Sequence, residues 1–427
     1  MTSEQGELAR RLGTFDAVAI GLGSMMGAGI FAAFAPAAVS AGAGLVIGLA
    51  IAGVVAYCNA TASAQLATQY PTSGGTYVYG RERLGEWPGF FAGWSFVIGK
   101  TASAAAMAIT FAAYAAPAGW EKPVAVLAVL AVGAVNYVGV TRTANATKVL
   151  AAAVLVILAF VVVLGLAQGH PQPSTLTTGL LDRGWYGILQ AAALLFFAFA
   201  GYARIATMGE EVKEPQRTIP RAIIVALAIV LVVYAAVALT SLLTIGPDRL
   251  AASSAPLSDV VTAGGSVWAS PIVRLGAAAA TLGSLLSITA GIGRTTLAMA
   301  RHQDLPGWLA AVHDRYHVPH RAEVVLAVVV CILVVTTDLR GALGFSSFGV
   351  LLYYFVANAS AFTQDHGHRL YPKVLQILGA IGCVALAGCL PLPSIVAGLV
   401  VLAVGIVYRL IGQRVRREAS GTARNPR

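Results

Sequence analysis

The stretch Gly21-Leu22-Gly23-Ser24-Met25-Met26-Gly27-Ala28-Gly29-Ile30-Phe31 sets four glycines within nine residues of an apolar segment. Glycine weakens a helix by up to about 1 kcal/mol relative to alanine, and lipid offers no partner for a freed N–H or C=O. A span carrying that weakness is expected to be broken on purpose, with the break buried in protein and lining a polar cavity. N–H groups at the start of a half-helix carry positive partial charge and hold anions; carbonyls at the end of one hold cations. A small charged solute could be held there, as in transporters built from discontinuous helices.

A second segment repeats the theme: Phe196-Phe197-Ala198-Phe199-Ala200-Gly201-Tyr202-Ala203-Arg204-Ile205-Ala206-Thr207, with glycine at mid-span and an arginine three residues on. An arginine inside a span costs about 2.5–3.5 kcal/mol on insertion scales. Arg204 is therefore expected either to face the cavity, as a reader of acidic groups or part of a gate, or to be tied to Glu210, Glu211 or helix carbonyls. Lys100 is the other intramembrane cation, roughly eleven residues into its span, or about 16 Å of helical rise. That is too deep to reach the interface easily. It is a proton-linked coupling group or a fixed structural cation. Ser284 and Ser287 could offer oxygen to sodium, or simply pack helices. Glu210, Glu211, Lys213, Glu214, Arg217 and Arg221 follow the second glycine-bearing span. They could form gate salt bridges, weak at about 0–1 kcal/mol each and so suited to opening, or a plain solvated loop.

The elements that must position these residues are membrane helices. The chain of 427 residues is 58% hydrophobic and only 11% charged, against about 25% in soluble domains. About twelve apolar runs are long enough to cross a bilayer: 15–40, 42–66, 89–116, 122–141, 145–167, 185–209, 219–245, 268–300, 322–339, 343–363, 373–391 and 393–411. Pro215 and Pro220 end the sixth and start the seventh. Nothing is long and polar enough for a second domain. The expectation is one transmembrane domain over 1–427: a first repeat at about 15–167, a second at about 185–363, two more helices at about 373–411 and a basic tail at 412–427. The two glycine-bearing spans fall at equivalent places in the two halves, where a transport site is expected.

The net charge of +10 is explained by topology rather than by nucleic acid. With the N-terminus in the cytoplasm, only Lys122, Arg183, Arg249, Arg274 and Arg340 fall outside, a positive-inside distribution that puts both termini in the cytoplasm of a cell-membrane protein. Cys58, Cys331, Cys383 and Cys389 lie within proposed spans without a CxxC pair, so neither disulfides nor a metal site are expected. His302, His313, His317 and His320 read as a solvated loop rather than metal ligands. No cofactor is expected. HExxH, GxSxG and P-loop motifs and paired intramembrane aspartates are missing, which argues against an enzyme. No repeated pore motif suggests a channel.

Gly23 to Phe31 resembles the first-helix motif of the amino acid–polyamine–organocation permeases. Phe196 to Tyr202 with the following Gly209-Glu210-Glu211-Val212-Lys213-Glu214-Pro215-Gln216-Arg217-Thr218-Ile219-Pro220-Arg221-Ala222-Ile223 is similar to that family's sixth helix and cytoplasmic loop. Gly291-Ile292-Gly293-Arg294-Thr295-Thr296-Leu297-Ala298-Met299-Ala300-Arg301 with Asp304-Leu305-Pro306 looks like its eighth helix and loop. The resemblance covers essentially the whole chain in order. It implies an all-α polytopic, LeuT-like fold: a five-plus-five inverted repeat, about twelve transmembrane helices, and helices 1 and 6 broken. It implies secondary transport of an amino acid or related amine by alternating access. Carried over residue by residue, the substrate carboxylate meets backbone N–H groups of Gly27, Ala28 and Gly29, with Ser24 and Met25 beside them. The ammonium meets carbonyls of Ser24 or Met25 and of Phe199 and Ala200, next to Gly201.

Relatives carrying cationic amino acids often place an acidic residue just after the sixth-helix break. Here that position is Ala203, which points to a net-neutral substrate. Some proton-coupled relatives have a lysine midway along helix 5; here Lys148 stands at its cytoplasmic end, as a topology charge. Proton coupling is favoured, with sodium symport, exchange and export left open. A non-transporting amino-acid sensor of the same fold is the rival from another class. Oligomeric state is not legible.

Overall fold

A computed structural model describes residues 12–27, 29–72, 74–139, 144–168, 172–176 and 179–422. Ala28, one of the expected substrate contacts, lies outside the described residues. The described chain is helical: α1 Thr14–Met26, α2 Gly29–Ala32, α3 Phe34–Ala41, α4 Leu45–Gln69, α5 Gly75–Leu84, α6 Glu86–Ala115, α7 Glu121–Tyr137, α8 Ala144–Gln168, α9 Gly184–Phe199, α10 Ala203–Ala206, α11 Pro215–Ala252, α12 Pro256–Ala263, α13 Ser270–Arg301, α14 His320–Thr336, α15 Leu339–Phe362, α16 Lys373–Cys389 and α17 Leu392–Thr422. Among the described residues the only β pairing is the isolated parallel bridge between Leu12 and Val212.

Nine helices or helical runs among the described residues are long and apolar enough to cross a membrane by length and composition. The helices α7, α14 and α16 have 17 residues each and fall short of that length. Large apolar side chains stay exposed on the outer helices: Val149, Val156 and Val163 on α8, Val328, Ile332 and Val335 on α14, Leu399, Val400, Val404 and Val407 on α17. Their three-, four- and seven-residue spacing makes continuous apolar stripes. Stripes of that extent mark a surface made for contact with something other than water, here lipid.

Both glycine-bearing segments are interrupted. The first breaks after Met26 and bends again at Ala33 before α3. The second passes from α9 through a 3-10 stretch, Ala200–Tyr202, into the four-residue α10. Two boundaries differ from expectation. The seventh span begins at Pro215 rather than at 219, because proline at the first helical position lacks only an N–H that has no helical partner anyway; Pro220 lies inside α11. Its apolar run ends at Gly246, whose φ of 74° interrupts the helix, followed by Pro247.

Polar residues inside the bundle find partners on the helices themselves. Ser63, Thr110, Thr281 and Thr289 each donate to the carbonyl four residues back, the usual way a hydroxyl is satisfied in an apolar helix. Between helices, Asn358 Nδ2 donates to Asn59 Oδ1 at 2.6 Å. The backbones of α6 and α15 approach closely: a Cβ on Gly99 would sit 3.1 Å from the Gly349 Cα, and one on Gly349 would sit 2.7 Å from the Ser95 carbonyl oxygen. Such small-residue interfaces are how membrane helices gain packing energy without a hydrophobic drive between them.

Candidate functional site

The two interruptions touch. A Cβ added to Gly201 would lie 2.5 Å from the Ser24 carbonyl oxygen and 2.6 Å from the Met25 nitrogen, and one added to Gly29 would lie 2.4 Å from the Ala198 Cα. Backbone therefore meets backbone where the segments cross, and glycine is required for space. Gly27 makes the same point against a third element. Its φ and ψ are −66° and −44°, open to any residue, yet a Cβ there would sit 1.5 Å from Ser284 Oγ on α13. A steric reason stands beside the expected loosening of the helix: these glycines let α1, α9 and α13 converge.

The carbonyls freed at the crossing are already engaged. Tyr234 of α11 places its hydroxyl 2.7 Å from the Met25 carbonyl oxygen and 2.9 Å from that of Ala198, so one phenolic proton serves both interruptions. Tyr354 of α15 donates to the Ala200 carbonyl at 3.2 Å. Lys100 Nζ, from α6, donates to the same carbonyl at 3.4 Å. The aromatic wall around this point includes Phe199 against Tyr234, 5.2 Å between centroids, and Tyr202 stacked on Tyr354 at 5.0 Å.

The other expected site residues divide. Ser24 is half-buried and Met25, Gly27, Gly29, Phe199 and Ala200 are buried around the crossing. Ser284 is buried with its hydroxyl unpartnered, facing Gly27; Ser287 is exposed on the same helix. Arg204 is exposed and within reach of the Glu211 charge. Glu211 also engages through its backbone: Leu12 N donates to its carbonyl at 3.1 Å and Lys213 N donates to the Leu12 carbonyl at 2.9 Å. The segment entering helix 1 is thereby zipped to the one leaving α10. Glu214 and Arg217 pair at 3.7 Å with both side chains largely exposed. Lys148, read as a topology charge, has a specific partner in Asp16 at the start of α1.

Reading the sequence missed three groups. Tyr234 is one; its signal was a lone phenol in an aliphatic run, which must find an acceptor when buried. Arg340 is the second. It donates to Ser40 Oγ at 3.1 Å and Gln190 Oε1 at 2.8 Å, joining α15 to the far ends of α3 and α9. The third is a buried charge cluster at the opposite end. Asp304 accepts from Arg81 at 2.9 Å, Arg409 at 2.5 Å and Tyr77 at 2.8 Å. Burial first and the Asp304 carboxylate second push the Tyr77 phenol well above its ordinary pKa, so it remains a donor. No group of His, Cys, Asp and Glu among the described residues is arranged to hold a metal ion, and the cysteines are unpaired.

Comparisons with known proteins point the same way as the crossing. The family model described as amino acid permease matches residues 16–419. An uncharacterized transporter of Mycobacterium tuberculosis is 57% identical over 419 residues, covering 97% of this chain and 95% of that protein. Cationic amino acid transporter 7 of Arabidopsis thaliana is 30% identical over 84% of this chain and 66% of that protein. The branched-chain amino acid permease BcaP of Bacillus subtilis is 28% identical over 75% and 73%. The chain belongs to the amino acid permease family: it is a multi-span membrane transporter of amino acids, and not an enzyme.

Proposed function

We propose that this transporter moves a net-neutral, zwitterionic amino acid across the cell membrane by alternating access, with proton linkage. The observation that carries the reading is the crossing itself. Two interrupted helices meet backbone to backbone, and at the meeting point stands a lysine rather than a carboxylate. Backbone N–H groups at Gly27, Ala28 and Gly29 suit the α-carboxylate, and the carbonyl ends of α1 and α9 suit the α-ammonium. A dibasic substrate would bring a second positive charge toward Lys100 with no acidic side chain to receive it. The relatives' names divide between cationic and branched-chain amino acids; Ala203 and Lys100 favour the second. Arg204, Glu210, Glu211 and Ser287 are assigned to gating and to the inner access path, and Ser284 to packing against Gly27.

In this reading the chain is one transport domain of two five-helix repeats with helices 1 and 6 broken, followed by two helices and a basic tail, with both termini in the cytoplasm. The lopsided charge supports that orientation. The test is uptake into proteoliposomes of labelled neutral amino acids against lysine and arginine, with pH and sodium gradients imposed separately. Neutral amino acids driven by a pH gradient are expected. Uptake confined to lysine and arginine, or dependence on sodium alone, overturns the reading. Binding without any flux would make the protein a sensor.

A further inference from the structure

The end of α9 presents a focus of negative partial charge, because the last carbonyls of a helix lack intrahelical partners. A cation is the natural occupant. In this structure the cation there belongs to the protein: Lys100 Nζ lies 3.4 Å from the Ala200 carbonyl oxygen. The remaining neighbours are neutral. Tyr354 donates to the same oxygen, Tyr202 stacks on Tyr354, and Tyr353 packs on Phe96, one turn before Lys100 on α6. The hydroxyl of Tyr353 is held by Thr76 N at 3.1 Å. Charged residues on the helices packed against α6 are engaged elsewhere: Arg274 of α13 on the Ala113 carbonyl, Arg409 of α17 on Glu86, Arg81 of α5 on Asp304, Lys122 of α7 on the Val335 carbonyl, and the buried Glu323 of α14 against Gly293 and the charge of Arg294 on α13. Among the described residues Lys100 forms no ion pair.

We infer that the Lys100 ammonium is a tethered competitor for the substrate's ammonium, so that amino acid and proton occupy the Ala200 carbonyl in turn. The inference rests on the proposed function and adds the sign of its coupling. When a substrate ammonium arrives, Lys100 withdraws. Its N–H bond breaks, the electron pair stays on Nζ and the proton passes to water. The neutral amine then no longer repels the bound cation. When the substrate leaves, Lys100 takes a proton and returns to the carbonyl. Amino acid and proton then alternate on one site and move in opposite directions across the membrane. A lysine that bound the substrate carboxylate would behave in the opposite way, since its loss would weaken binding.

The experiment measures binding of a neutral amino acid to the purified full-length protein by calorimetry in buffers of differing ionisation enthalpy, with Lys100→Met and Lys100→Gln beside the parent. Release of about one proton per amino acid bound is expected in the parent at pH 7, and none in either variant. Both variants are expected to bind about tenfold more tightly than the parent at pH 6. The deaminated acid with the same side chain should bind parent and variants alike and release no proton. Weaker binding by both monodisperse variants, or unchanged proton release, overturns the competitor role while leaving amino-acid transport intact. A parent that binds no neutral amino acid overturns the functional reading itself, and this assignment with it.

Discussion

Gly27 and Ser284 are in such close register that a single added methyl at Gly27 would fall 1.5 Å from the serine Oγ and 2.7 Å from its Cβ. The first interruption is thus keyed to α13 by the absence of a side chain. Gly27→Ala is expected to abolish uptake and cost about 1–3 kcal/mol, the usual penalty for overpacking. Removing the obstacle should restore it. Gly27→Ala/Ser284→Gly is expected to recover at least half of parental uptake, because Gly27 has ordinary helical dihedrals that alanine adopts freely. Failure of the double variant in a folded protein would show that Gly27 matters for something other than space. Gly29→Ala meets the Ala198 backbone instead, so no side-chain change opposite it should rescue that variant.

Tyr234 holds both interruptions with one hydroxyl. Tyr234→Phe keeps the ring against Phe199 and Phe34 and leaves the Met25 and Ala198 carbonyls without that donor. A buried unsatisfied group costs about 1–3 kcal/mol. Uptake is expected to fall at least tenfold, with a lowered melting temperature in detergent. Unchanged transport by Tyr234→Phe would mean the bridge is not used during turnover.

The cluster around Asp304 makes a separate, testable contribution to stability. The Asp304 side chain is 6% exposed and that of Arg409 5%, and the Arg409 guanidinium lies 4.9 Å and 4.7 Å from the ring centroids of Trp87 and Phe90. The last helix is fastened in this way to α6 and to the loop after α13. Removing one partner of a buried pair costs about 3–5 kcal/mol because the other charge is stranded. Asp304→Asn is expected to destabilise by that amount in thermal denaturation, and by clearly less in an Arg409→Met background. Strict additivity of the two changes would contradict the coupling. The exposed Glu214–Arg217 pair should contribute almost nothing.

Much of the architecture was legible because a membrane leaves the chain few choices. Runs of twenty apolar residues must be helices, and the four glycines between Gly21 and Gly29 could not sit in a span without reason. The reason itself was not legible. Gly27 and Gly201 are explained by Ser284 and by the Ser24 backbone, partners about 260 and 180 residues away in sequence that periodicity cannot pair. Lys100 was recognisable as a costly cation, but its destination at Ala200 depends on how closely α6 packs on α15. Asp304, in a loop, and Arg409, at the end of the last expected span, could not be paired from the sequence, since their burial arises only when α17 packs onto α6.

The last prediction concerns the charge of the substrate. Ala203 begins α10, immediately after the 3-10 stretch, and is 7% exposed. Lys100 stands on the Ala200 carbonyl beside it. A substrate with a cationic side chain would strand that second charge here with no carboxylate to receive it, and stranding one charge of a buried pair costs about 3–5 kcal/mol, a hundredfold or more in affinity. Lysine and arginine are therefore expected not to compete with uptake of a neutral amino acid by the parent protein, even in hundredfold excess. Placing a carboxylate at this point should reverse the discrimination. Ala203→Asp is expected to admit lysine at a measurable rate and to slow the neutral substrate, and Ala203→Asn, of similar size without the charge, should do only the second. Strong lysine or arginine uptake by the parent would sink the charge argument, and lysine uptake by Ala203→Asn would show that space, not charge, sets the preference.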